Sequence, residues 1–228
     1  MLAIKDLQFA YTKGVLVLDN LNLTVADQEN VALFGDTGSG KSTLLGLLTG
    51  LLTPVQGSIF IDKIKIERKN IAQVRQQVGL VFQNPENQLF MPTIYEDLAF
   101  GLRNNGVDAN EIARRVSELA QEMGIAKLLS KNSFELSGGE QRMAALACVL
   151  IMQPKILLLD EPTAFLDLKS RKILQDYLKK ISVTKIIVTH DLDFAVQLCP
   201  RAICLAAGKI IEDAASAKIA EQLKISNA

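Results

Sequence analysis

Residues Val31-Ala32-Leu33-Phe34 run apolar into Gly35-Asp36-Thr37-Gly38-Ser39-Gly40-Lys41-Ser42. A helical pattern then continues to about Thr49, where Gly50 stops it. Buried strand, glycine-rich loop and helix form a single unit, and few folds can host it. The loop has the spacing G-x-x-x-x-G-K-S, in which backbone N–H groups from Gly38 to Ser42 converge on a phosphate at a helix N-terminus. Lys41 adds a point charge toward the β- and γ-phosphates, and the Ser42 hydroxyl is placed to ligate Mg²⁺. The competing account is an ordinary glycine-rich turn. It is weakened by the strand before the loop and the helix after it, the context such a cradle needs.

Around this unit the chain reads as mixed α and β. Short strands are expected at Leu2–Phe9, Val15–Val25, Asn30–Phe34 and Gly57–Ile61. A helical section runs from about Asn84 to Gln153. Within it, Asp108 and Glu111 make a capping-box pattern ahead of Ile112, Val116, Leu119 and Met123, and Gly124 ends that helix. Beyond Pro154, Ile156–Leu159 and Ile186–Val188 are uninterrupted apolar runs, as in a parallel sheet buried on both faces. A helix at about Leu168–Lys180 lies between them. The expected fold is α/β: one domain over residues 1–228, with an antiparallel N-terminal β layer and a helical lobe inserted at about 84–153.

Composition narrows the function. Basic and acidic residues balance at 25 each, so no nucleic-acid partner is expected. The longest apolar stretch, Met143–Met152, is too short to cross a bilayer and reads as a buried helix. The first residues lack a signal-peptide pattern, and Cys148, Cys199 and Cys204 lack metal-site spacing. A cytosolic chain with reduced thiols is expected.

Three further elements carry chemistry. The strand Ile156–Leu159 ends in Asp160-Glu161. Asp160 can orient Mg²⁺, usually through water, and Glu161 can polarise an attacking water as general base. The competing account is a turn cap before Pro162. His190, the only histidine, ends the run Lys185–Thr189 and so stands where a parallel sheet binds ligands. Leu136-Ser137-Gly138-Gly139-Glu140 reads as a capping box, with Ser137 as N-cap and Glu140 three positions later. Its glycines expose N–H groups at a positive helix end, suited to a γ-phosphate. The chain's own loop already occupies the sheet edge, so these donors would serve ATP on a second subunit.

Gly35–Ser42 together with Leu136–Glu140 resembles the ATP-binding cassette (ABC) family, and the resemblance runs the length of the chain. It implies a P-loop NTPase (RecA-like) core that binds ATP and Mg²⁺ between two head-to-tail subunits. Gly35, Asp36, Thr37, Gly38, Ser39, Gly40, Lys41, Ser42 and Thr43 would hold the phosphates, with the Asp36 side chain turned away. The resemblance gives Tyr11 adenine stacking and Gln83 a contact to Mg²⁺ and water. It gives His190 the γ-phosphate and the placing of Glu161. Ser137, Gly138, Gly139, Glu140 and Asp167 would act across the dimer. At Phe165 the chain is bulkier than is common in the family.

The segment Gln83-Asn84-Pro85-Glu86-Asn87-Gln88-Leu89-Phe90 resembles the ATPases of energy-coupling-factor (ECF) importers, which take up vitamins or transition metals. That implies an enzyme on the cytoplasmic face of the membrane, peripheral to it. It would pair with a second ATPase, itself or a paralogue, and meet membrane subunits through about Asn84–Phe90. The other readings are the ATPase of a different ABC transporter, or a soluble clamp on nucleic acid or ribosomes.

Overall fold

A computed structural model describes residues 1–226. In chain order, strands β1 (Leu2–Phe9), β2 (Leu18–Val25) and β3 (Asn30–Phe34) lead into helix α1 (Lys41–Leu48). Strands β4 (Gln56–Ile61) and β5 (Ile64–Lys65), helix α2 (Ile71–Gln77) and strand β6 (Val78–Val81) follow. Next come helices α3 (Ile94–Asn104), α4 (Ala109–Glu122) and α5 (Gly138–Leu150). Strand β7 (Ile156–Asp160), helix α6 (Leu168–Lys180) and strand β8 (Thr184–Val188) precede α7 (Leu192–Leu198), β9 (Arg201–Ala206), β10 (Lys209–Ala215) and α8 (Ser216–Ser226). These elements group into two compact units. The first comprises Met1–Leu80, Lys155–Glu161 and the chain from Ser182 onward; the second comprises Val81–Pro154 and Pro162–Ile181.

The first unit carries two sheets. One has the order β10-β9-β3-β8-β7-β6, with β3 parallel to both β8 and β9 and β7 parallel to β8. Residues Ile156–Leu159 and all of β8 are buried, which explains their uninterrupted apolar sequence. The other sheet, β2-β1-β4-β5, is antiparallel and alternates buried with exposed positions. Leu44, Leu45, Leu47 and Leu48 of α1 belong to one apolar core with residues of both sheets, so α1 is buried almost all round. That packing fixes the helix whose N-terminus carries Lys41.

Two local expectations are corrected. The second strand begins at Leu18, not Val15. Gly14 takes φ +91°, and Val15 makes only an isolated bridge to Thr12 while its side chain stays exposed. Asp108 does cap α4, accepting from the Asn110 N–H, but Glu111 does not complete the box. It turns outward to pair with Arg114 and Arg115, a stronger attraction than one backbone N–H.

In the second unit α3 packs on α4 and α5, and α5 packs on α6. The buried stripe of α4 is Ile112, Val116 and Ala120, at helical spacing. Helix α5 is buried from Arg142 to Ala147, in keeping with the apolar run read there.

Candidate functional site

The loop between β3 and α1 is shaped by its glycines. Gly35 has φ +149°, and a Cβ there would lie 2.2 Å from the Leu205 carbonyl oxygen and 2.7 Å from Ser39 Oγ. Gly40, at φ +108°, forms the N-cap of α1. Lys41 is 8% exposed, and its Nζ donates to the carbonyls of Gly35 (2.6 Å) and Asp36 (2.9 Å). Burial pushes its ammonium below the ordinary lysine range, while Glu161, Asp160 and Asp36 pull it back up. Asp36, Thr37, Gly38 and Ser42 line the open side of the loop, exposed to solvent.

The chemistry of this donor set fits a polyphosphate. Ser39 Oγ is buried with no hydrogen-bond partner among the described residues. A burial of that kind costs free energy unless a ligand answers it. The cradle also lacks a Cβ at Gly35, Gly38 and Gly40, and a cation is already seated beneath it. Among the described residues no group of three or more His, Cys, Asp or Glu could chelate a metal by itself. Mg²⁺ bound by one or two protein oxygens plus substrate phosphates suits such a site.

The β7 end lies in the same unit. Asp160 is the last residue of the strand, in register with Val188 of β8. Glu161 follows at φ +45°, a strained angle for a residue with a Cβ. Its backbone N–H donates to the Val188 carbonyl at 2.9 Å, which anchors the turn. The Oε2 atom accepts from the His190 N–H at 3.2 Å, and Oε1 lies 3.5 Å from His190 Nε2. Oε1 is buried and accepts no hydrogen bond among the described residues. A carboxylate is thus held by its neighbours with one oxygen left to work. His190 is exposed, with its imidazole toward this carboxylate. Tyr11 stands 65% exposed, edge-on to Phe9, and its hydroxyl lies 3.2 Å from Thr43 Oγ1. The first unit therefore brings together the loop, Asp160, Glu161, His190 and Tyr11.

The second unit collects the rest. Ser137 is the N-cap of α5; Glu140 Oε2 accepts from the Ser137 N–H (3.0 Å) and hydroxyl (2.9 Å). Those bonds hold the Glu140 carboxyl below the ordinary range. Ser137 and Gly138 remain exposed. A Cβ at Gly139 would lie 2.2 Å from Ser170 Oγ, so glycine is what lets α5 approach α6 there. Asp167 caps α6 through the Ser170 N–H (2.8 Å). Gln83 has an exposed side chain, and its carbonyl accepts from Arg142 Nη2 at 2.6 Å.

Sequence reasoning missed Arg142. It is 1% exposed and its other Nη reaches the Phe82 carbonyl at 2.7 Å, so α5 grips the Gln83 loop with a bidentate fork. Gln88 adds a second tie, donating to the Ala145 carbonyl at 2.7 Å. The available signal was a lone arginine entering an otherwise apolar helix. In the loop beyond, Leu89 is buried whereas Phe90 is 62% exposed against Phe100.

Residues 18–164 match the sequence profile of the family described as ABC transporter. The chain is 41% identical over 218 residues to the energy-coupling factor transporter ATP-binding protein EcfA2 of Caldanaerobacter subterraneus, covering 91% of this chain and 76% of that protein. It is similar to the solved structure of cbiO1 from Clostridium perfringens, described as part of the ABC transporter complex cbiONQ. That similarity has a TM-score of 0.88 at 35% identity, over 98% of this chain and 92% of the other. A dimeric bacterial ABC transporter cassette superposes with a TM-score of 0.84 at 29% identity, over 95% and 99% of the two chains. With a profile match across the P-loop, signature and β7 carboxylates, this chain belongs to the ABC transporter family.

Proposed function

We propose that this chain is the ATP-hydrolysing subunit of an ECF-type importer. As a member of the ABC family it binds nucleotide and couples ATP hydrolysis to transport. The finer reading rests on the Gln83–Phe90 segment and on relatives whose names carry the energy-coupling factor description. Among the described residues no helix is long and apolar enough to cross a membrane, so membrane subunits would come from other chains.

In this reading Gly35–Thr43 wrap the phosphates, Lys41 neutralises them and Tyr11 covers the base. Ser42, Asp160 and Gln83 would hold Mg²⁺, which supplies charge neutralisation on the phosphate oxygens. Glu161 takes the proton of the attacking water, and His190 keeps Glu161 in place. Ser137, Gly138, Gly139 and Glu140, with Asp167, complete the site on a second copy, so hydrolysis needs a head-to-tail dimer. The observation that carries the chemistry is the buried, hydrogen-bond-free Oε1 of Glu161 in a strained turn at the β7 end.

The importer reading places Asn84–Phe90 against a membrane subunit, with the exposed Phe90 ring entering a helix-in-groove contact. Co-expression with candidate membrane subunits, then cysteine cross-linking from Phe90→Cys, tests it. A cross-link whose yield differs between ATP and ADP is expected. An assembled, transporting complex that gives none would overturn this placement.

A further inference from the structure

A large apolar side chain left in water carries most information when strained backbone holds it there. Phe165 is 93% exposed and sits at φ +62°, a left-handed conformation that glycine adopts freely and a residue with a Cβ does not. The turn itself therefore gains nothing from a phenyl ring. Within the second unit Phe165 stands beside the signature: a Cβ on Gly138 would have the Phe165 carbonyl oxygen as its neighbour, at 3.9 Å.

The first unit contains a hole of matching character. A cavity of about 380 Å³ has Leu192, Leu205, Ile211 and Leu223 in its walls, and Gly35, Asp36 and His190 also border it. Its edge is thus the edge of the nucleotide loop. Ile211, on that wall, is itself 63% exposed.

We infer that Phe165 of one copy seats in this cavity of a second copy, and that the exchange is reciprocal. The inference rests on the head-to-tail reading above. When the signature of one chain faces the loop of another, the side chain flanking the signature arrives at the cavity bordering that loop. Knob and hole lie on the same sequence, so the occupant is a second copy of this chain, and two-fold symmetry makes the contact twice. Phe165 then serves as an anchor selecting a homodimer, and its strain is the cost of presenting it.

The test uses the full chain in a Glu161→Gln background, which holds ATP. Phe165→Gly removes the ring and relieves the backbone, so folding is not at risk. By sedimentation it should raise the dissociation constant of the ATP-bound dimer about 100-fold or more, since two buried phenyl groups are lost. ATP binding to the monomer should be unchanged. In a second experiment Phe165→Cys and Ile211→Cys chains, both with Cys204→Ser and bearing different tags, are mixed and treated with a short bis-maleimide. A cross-linked pair with both tags is expected in ATP, but not in ADP and not from either chain alone. If the parent dimerises with ATP yet Phe165→Gly dimerises equally well and the mixed pair fails to cross-link, the inference is overturned while the head-to-tail reading stands. If the parent stays monomeric with ATP, both fall.

Discussion

Glu161 is the residue on which the enzyme reading turns. It has a strained backbone, one oxygen engaged by the His190 N–H and another buried without a hydrogen bond. Glu161→Gln is nearly isosteric and cannot accept a proton, so turnover should fall by about 10²–10⁴-fold with ATP binding retained. Steady-state hydrolysis and equilibrium binding on the same preparation check this, and near-normal turnover would refute the assignment. At this scale the sequence was most legible where chemistry constrains spacing. Gly35–Ser42 and Asp160-Glu161 stand out because a phosphate cradle and a strand-end carboxylate tolerate few alternatives. Arg142 was not legible, because its partners are backbone carbonyls of Phe82 and Gln83, distant in sequence and carrying no side-chain signature.

Among the elements, α5 shows how a cap can be both structural and functional. The Glu140 carboxyl is held below its ordinary value of 4.5 by the Ser137 N–H and hydroxyl. A depressed acid pKa means that the cap stabilises above the ordinary value and that this contribution is lost as pH falls through the folded value. Ser137→Ala should therefore cost about 1 kcal/mol at neutral pH, lowering Tm by roughly 2–4 °C. The gap from wild type should narrow on acidification below pH 4.5, as thermal melts without nucleotide would record. A constant gap across that range would show that Glu140 takes no part. Periodicity marked α5 and β7 correctly, since burial on all sides writes itself into an unbroken apolar run. It failed at Val15 and Glu111. There a positive-φ glycine and a pair of arginines decided the outcome, both locally stronger than hydrophobic pattern.

Taken whole, the molecule separates the parts of one reaction. The nucleotide loop and Glu161 are in the first unit, while the signature and Gln83 are in the second. If the signature completes a site on another copy, Ser137→Arg in the Glu161→Gln background should abolish the ATP-dependent dimer while each monomer still binds nucleotide. Sedimentation with ATP and with ADP decides it; a dimer that survives the arginine would rule out a signature-mediated interface. The layered α/β plan was readable from strand and helix order. The grouping of Pro162–Ile181 with the second unit was not, because it depends on α6 packing against α5, a contact no local pattern announces.

Strand β3 has a consequence for how the chain is made. It lies between β8 and β9, pairing Asn30 with Lys185 and Val31 with Arg201. During synthesis it leaves the ribosome early, and both of its neighbours leave it late. Until then two bare edges face the cytosol, open to pairing with any other extended chain. Loop closure over so long a span also slows the step that buries them. A truncated chain of residues 1–181 lacks β8 and β9, and should show no cooperative melt and precipitate on concentration. Holding-type chaperones should engage nascent chains until Ala206 has emerged and then let go, which ribosome-bound intermediates of graded length would reveal.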